Sequence, residues 1–122
     1  IKNIKLPVSA PFHCPLMKKA TEIMKEEINK TQFNLPKNTV ISNVTGEEVL
    51  DVNNIKELLI KQIENPVRWR ESVLYMKKNS VSKFVEMGPG KVLSGLIKRI
   101  DRNLTSLSIN SLEEAKNLNL ND

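Results

Sequence analysis

One imidazole and one thiol stand side by side in this chain. His13 is its single histidine and Cys14 its single cysteine, both within VSAPFHCPLM, residues 8–17. An imidazole can take and return a proton near neutral pH, and a thiolate can attack a carbonyl carbon. The two are poorly placed to work as a nucleophile and its base, because neighbouring side chains of an extended segment point to opposite faces. Cys14 therefore reads better as a capping or buried thiol. One histidine and one cysteine cannot furnish a zinc site either, so no metal is expected. His13 is left as a proton-transfer group or as a plain surface-loop histidine. Its place between a strand end and a helix start favours the first, since ligands of open α/β sheets gather at the carboxyl ends of strands. Position alone does not decide between them.

A second stretch, EMGPGKVLSG at residues 86–95, suggests phosphate binding. It lacks both the Gly-Lys-Ser/Thr ending of a P-loop and the dinucleotide G-x-G-x-x-G spacing. Gly88 and Gly90 read instead as hinges of a tight strand-to-helix turn, with Lys91 in solvent. The net charge of +5 over 122 residues could suit nucleic acid, an anionic surface or an acidic protein. Lys18, Lys19, Lys25 and Lys30 are scattered over polar faces, and no Arg-rich block alternates with aromatics, so nucleic acid is not expected. No apolar run reaches the roughly 20 residues that cross a bilayer. There is no secretory leader and no partner for Cys14, so the expected setting is the cytoplasm, away from membranes.

The elements that must position His13 follow from periodicity. NIKLPVS, residues 3–9, alternates apolar and polar residues and reads as an extended segment, which Pro7 confines to an edge or a strand end. From Pro15 the apolar residues Leu16, Ala20, Ile23, Met24 and Ile28 recur at helical spacing. NTVISNV, residues 38–44, is a β-branched run closed by Thr45-Gly46, predicting a strand and a turn. Residues 52–64 predict a helix through Ile55, Leu58, Leu59 and Ile63. Asn65 as N-cap and Pro66 at the first position then predict a second helix over 66–79. KFVEM, residues 83–87, predicts a strand that enters the glycine turn. A helix with Val92, Leu93, Leu96, Ile97 and Ile100 comes next, a last strand covers 104–108, and a short helix or frayed tail follows Ser111. Strands alternating with helices predict α/β architecture with a mainly parallel sheet. Ile1 opens the chain without methionine or turn signal, as if inside a strand, which leads to the expectation of a trimmed sequence.

Three separated motifs, VSAPFHCPLM, ENPVRW and VEMGPGKVLSGLIKRI, make the chain resemble the malonyl-CoA:acyl carrier protein transacylases of fatty-acid synthesis. The match runs in order over nearly the whole sequence and corresponds to the C-terminal part, less than half, of such an enzyme. It implies the closing portion of an α/β-hydrolase-like acyltransferase fold. Residues 1–122 would form a C-terminal piece of one acyltransferase domain. Within it, residues 1–6 would lead out of a small ferredoxin-like subdomain, and 7–122 would belong to the large one. It implies a two-step transfer. A serine in a G-H-S-x-G elbow attacks the malonyl thioester and CoA leaves; the phosphopantetheine thiol of acyl carrier protein then collects the acyl group. His13 would match the general base, protonating the departing CoA thiolate and reversing these roles in the second half. The orienting group would be a main-chain carbonyl, that of Gln62, which fixes the tautomer without a carboxylate. Such a role leaves the Gln62 side chain free to vary. Phe12 would lie near the substrate and favour malonyl over a branched acyl group.

The departures bound these implications. The chain contains no G-H-S-x-G, no counterpart of the malonate-binding arginine and no glutamine loop for the oxyanion hole. The nucleophile is therefore expected outside it, and Ser9, Ser72 and Ser94 do not sit in an elbow. CoA and phosphopantetheine thioesters would be substrates, with no bound cofactor, and the isolated chain would be inactive. Two other readings stay open: a segment of a polyketide or multifunctional fatty-acid synthase, and a noncatalytic remnant serving as a binding module.

Overall fold

Helices and short strands alternate along residues 10–118, the part of the chain that the computed structural model describes. The extended segment expected at 3–9, with Ser9, lies outside the described residues. The chain divides into two compact units, Ile1–Ser72 and Val73–Asp122.

In the first unit Pro15 opens a single 3-10 turn, Pro15–Met17, that runs into helix α1, Lys18–Lys30. Proline suits this entry because its missing N–H lies where a helix has no acceptor for it. Thr31 closes α1 by donating its hydroxyl to the Glu27 carbonyl at 2.7 Å. Helix α2, Val52–Lys61, packs on α1 and is capped by Asp51, whose carboxylate accepts the Asn54 N–H at 2.8 Å. The two helices bury Ile28 and Leu58. Lys56 secures the junction, donating to the Asn29 carbonyl at 3.3 Å with its ammonium 5.3 Å from the Phe33 ring centroid.

The strand expected at 38–44 is not formed. The chain doubles back at Thr45-Gly46 so soon that only one antiparallel bridge survives, between Ile41 and Glu48. The loop is held instead by Val49 N–H to Val40 O at 2.9 Å, Ser42 N–H to Glu47 O at 2.9 Å and Gly46 N–H to Ser42 O at 2.8 Å. Gly46 has φ +77°, and a Cβ there would lie 2.9 Å from the Cβ of Glu71. Here glycine is required twice, by backbone conformation and by close approach.

Helix α3, Trp69–Lys78, begins three residues later than its sequence predicts. Asn65 is not its N-cap: the Asn65 side chain donates back to the Lys61 carbonyl at 2.7 Å, closing α2. Pro66 accordingly stands in the connection, not at the first helical position. Arg68 supplies the carbonyl for the first helical bond, from Ser72 N–H at 3.0 Å.

The second unit is a β-α-β arrangement. Strands β1, Lys83–Met87, and β2, Thr105–Ile109, pair in parallel with Lys83 opposite Thr105 and Met87 opposite Ile109. Helix α4, Val92–Ile100, joins them and packs on both, burying Ile97 while Leu104 is buried at the entrance to β2. The turn before α4 has Gly88 at φ 141° and Gly90 at φ 98°, with Lys91 exposed. Helix α5, Leu112–Lys116, follows Ser111, whose hydroxyl accepts the Glu114 N–H at 3.1 Å. No helix among the described residues is long and apolar enough to cross a membrane.

Candidate active site

His13 occupies a turn that binds itself together. Phe12 N–H donates to Ala10 O at 3.0 Å, and the Cys14 thiol donates to Pro11 O at 3.1 Å. The thiol, half-buried and so engaged, acts as a local tie. The segment is not extended at His13, which has φ 57°. That left-handed conformation costs a non-glycine residue about 1–2 kcal/mol. It is compensated by a hydrogen bond reaching far along the sequence: His13 Nδ1–H donates to the Gln62 carbonyl at 2.7 Å. A carbonyl oxygen has no proton to give, so this contact places the hydrogen on Nδ1. In the neutral ring Nε2 then carries the lone pair. The ring is solvent-exposed and open to a reacting partner.

Why the Gln62 carbonyl is available follows from what comes after it. Gln62 is the residue that ends α2, with φ −64° and ψ −18°. Had the helix continued, this carbonyl would accept the N–H of the residue four positions on. That residue is Pro66, which has no N–H. The N–H one position earlier, of Asn65, goes to the Lys61 carbonyl at 3.1 Å. The carbonyl is thus left without a helical partner, and His13 takes it. The Gln62 side chain is not idle: its Oε1 accepts from Asn43 Nδ2 at 3.4 Å. Asn43 in turn accepts the Arg68 N–H on its carbonyl at 2.8 Å. All of these residues lie in the first unit.

Phe12 is 62% exposed on the loop beside His13. Ser72 and Ser94 are buried, and their hydroxyls are committed elsewhere. Ser72 donates to Arg68 O at 2.9 Å, and Ser94 donates to Leu107 O at 3.3 Å and pairs with the Ser108 hydroxyl at 2.9 Å. Among the described residues no group of three or more His, Cys, Asp and Glu could hold a metal ion.

Sequence reasoning passed over Asn43, because its partners are 19 and 25 positions away. It also misassigned Asn65, while Pro66 carried a usable signal: a proline four residues after a helical carbonyl frees that carbonyl. Glu86 was missed as well. Its carboxylate accepts the N–H groups of Leu93 at 3.0 Å and Ser94 at 2.8 Å, crossing the glycine turn to cap α4. The Ser94 N–H, helped by the Leu93 N–H and the Ser108 hydroxyl, holds this carboxyl below the ordinary carboxylate range against the opposing effect of desolvation.

No family model matches the chain. Among curated proteins it is similar to the malonyl CoA-acyl carrier protein transacylase of Escherichia coli strain K12, 43% identical over 109 residues that cover 89% of this chain and 35% of that protein. The protein of the same name from Bacillus subtilis strain 168 is 42% identical over 112 residues, 92% of this chain and 35% of the other. Among solved structures, malonyl CoA-acyl carrier protein transacylase from Clostridium perfringens matches with a TM-score of 0.85 and 43% identity, covering 93% of this chain and 36% of that one. A type II PKS acyl-carrier protein in complex with its malonyl-transacylase gives a TM-score of 0.87 at 34% identity, over 96% of this chain and 38% of that chain. The chain spans about a third of the length of the curated relatives it matches.

Proposed function

We propose that this chain is the His13-bearing portion of a malonyl-CoA:acyl carrier protein transacylase, an acyltransferase whose serine nucleophile lies outside these residues. The observation that carries the reading is the 2.7 Å hydrogen bond from His13 Nδ1 to the Gln62 carbonyl, found in a chain about 42% identical to proteins of that name. With Nδ1 protonated, Nε2 removes the serine proton as the hydroxyl attacks the malonyl thioester carbon. The C–S bond breaks, and the imidazolium returns that proton to the departing CoA thiolate. In the second half Nε2 takes the proton of the phosphopantetheine thiol, whose sulfur attacks the acyl-serine carbonyl, and the serine oxygen is reprotonated as it leaves. Each time the ring becomes positive, the Gln62 carbonyl dipole faces it through the Nδ1–H. This stabilises the imidazolium without a buried carboxylate.

CoA and phosphopantetheine thioesters belong to this reading as substrates, and acyl carrier protein as the macromolecular partner. A cytoplasmic setting belongs to it too, as does the assignment of residues 7–122 to an α/β-hydrolase-like large subdomain and 1–6 to the exit from a ferredoxin-like one. Phe12, exposed next to the base, is assigned the exclusion of α-branched acyl groups. The test is transfer by the full-length protein. Incubated with malonyl-CoA and carrier protein bearing phosphopantetheine, it should add a malonyl mass to the carrier. A carrier that stays unmodified, with CoA unreleased, would overturn the reading.

A further inference from the structure

We propose that Asn43 is a positioning residue for His13, acting through the Gln62 side chain. The proposal rests on the reading of His13 as the base. Gln62 sits where α2 ends, and its carbonyl has no helical N–H to hold its direction. Helix ends fray, and a peptide plane at such an end turns easily. Two constraints act on it besides His13 itself. Asn65 closes the last turn on the Lys61 carbonyl, and Asn43 grips the Gln62 side chain from the loop at 40–49. The same Asn43 holds the Arg68 N–H with its own carbonyl. One loop residue therefore touches both sides of the Pro66 connection, before it at Gln62 and after it at Arg68. The Asn43 contact, at 3.4 Å, holds the Gln62 side chain and with it the Cα from which the carbonyl projects, and so helps keep the carbonyl aimed at the ring.

The chemistry at position 43 is specific. Asparagine offers a donor to the Gln62 Oε1. Aspartate would offer an acceptor to the same amide after it turns over, preserving one hydrogen bond. Alanine preserves none, yet leaves the backbone bond to Arg68 in place.

The experiment compares malonyl loading of the full-length enzyme in single turnover with steady-state KM for malonyl-CoA. Asn43→Ala should slow loading about three- to tenfold, the usual worth of one side-chain hydrogen bond, with KM unchanged. Asn43→Asp should recover most of the rate. Gln62→Ala removes the same bond from the other side, so it should match Asn43→Ala, and the double variant should be no slower than either single one. The Gln62 variant also gives an answer if Asn43 substitutions fold poorly. Loading at the wild-type rate in Asn43→Ala, no recovery with aspartate, or multiplicative losses in the double variant would each overturn the proposal. His13→Ala separates the two levels. If it loads normally, the base assignment fails and the proposal with it; if it is dead while Asn43→Ala is unimpaired, the positioning role alone is wrong.

Discussion

His13 holds a backbone conformation that few side chains adopt, and the hydrogen bond it gains defines what its ring can do. A proton fixed on Nδ1 leaves Nε2 as the only basic nitrogen, which is the state required to receive a proton from a hydroxyl or thiol. As the single imidazole it was visible in the sequence at once, and its loop position suggested a role. The carbonyl partner was legible only through the family resemblance, because a residue type does not disclose where its backbone oxygen points. Asn43 was not legible at all, since its contacts are set by how the loop and α2 meet. Phe12 carries a prediction at this scale. Its ring is exposed beside the base, so Phe12→Ser should open room for an α-methyl group. In competition between malonyl-CoA and methylmalonyl-CoA, the full-length variant should load several-fold more of the branched acyl group, on the order of one methyl's worth of discrimination. An unchanged product ratio would remove Phe12 from the substrate's surroundings.

At the scale of elements, the connection between α2 and α3 shows why pattern reading erred. Asn-Pro is a strong N-terminal signal, yet Asn65 turned back to Lys61 and α3 started at Trp69. A short polar side chain can cap either neighbour, and only packing decides which. The strand expected at 38–44 failed for a related reason, because a turn placed so close behind it leaves nothing long enough to pair with. By contrast β1, α4 and β2 appeared close to where periodicity put them, helped at the β1–α4 junction by the sharp boundary of Gly88, Pro89 and Gly90.

Three outcomes follow at this scale. Pro66→Ala would supply an N–H that competes with His13 for the Gln62 carbonyl. Malonyl loading should fall, at equal folded fraction, by about the worth of one hydrogen bond or more, roughly tenfold. Gly46→Ala should destabilise the protein by at least about 1 kcal/mol, read from denaturant midpoints, because a Cβ there is strained and also meets Glu71. Glu86 gives a pH dependence. Its folded pKa lies below the unfolded value, so its contribution is present above the unfolded carboxylate range and is lost as pH falls through the folded value. Glu86→Gln should therefore lower the urea midpoint near neutrality, and the gap to wild type should close as pH falls through and below the ordinary carboxylate range.

Across the whole molecule, the described residues bury few large apolar side chains: Ile28, Leu58, Val73, Ile97 and Leu104. Leu16, Met87, Val92 and Leu112 are each at least 70% exposed. The chain spans about a third of the length of the relatives it matches. Expressed alone, the 122 residues should self-associate on size exclusion and take up no malonyl group from malonyl-CoA, since the sequence has no serine elbow. A monomer with a sharp melt would contradict the first expectation, and a stoichiometric malonyl adduct the second. The central claim is the proposed role of His13 as general base, and its most direct test is the single-turnover rate of malonyl loading by the full-length protein carrying His13→Ala. A base that moves the serine proton contributes about 10²–10⁴-fold, so the rate should fall by that factor while the fold is retained. A loss smaller than about tenfold would contradict the assignment of His13 as the general base.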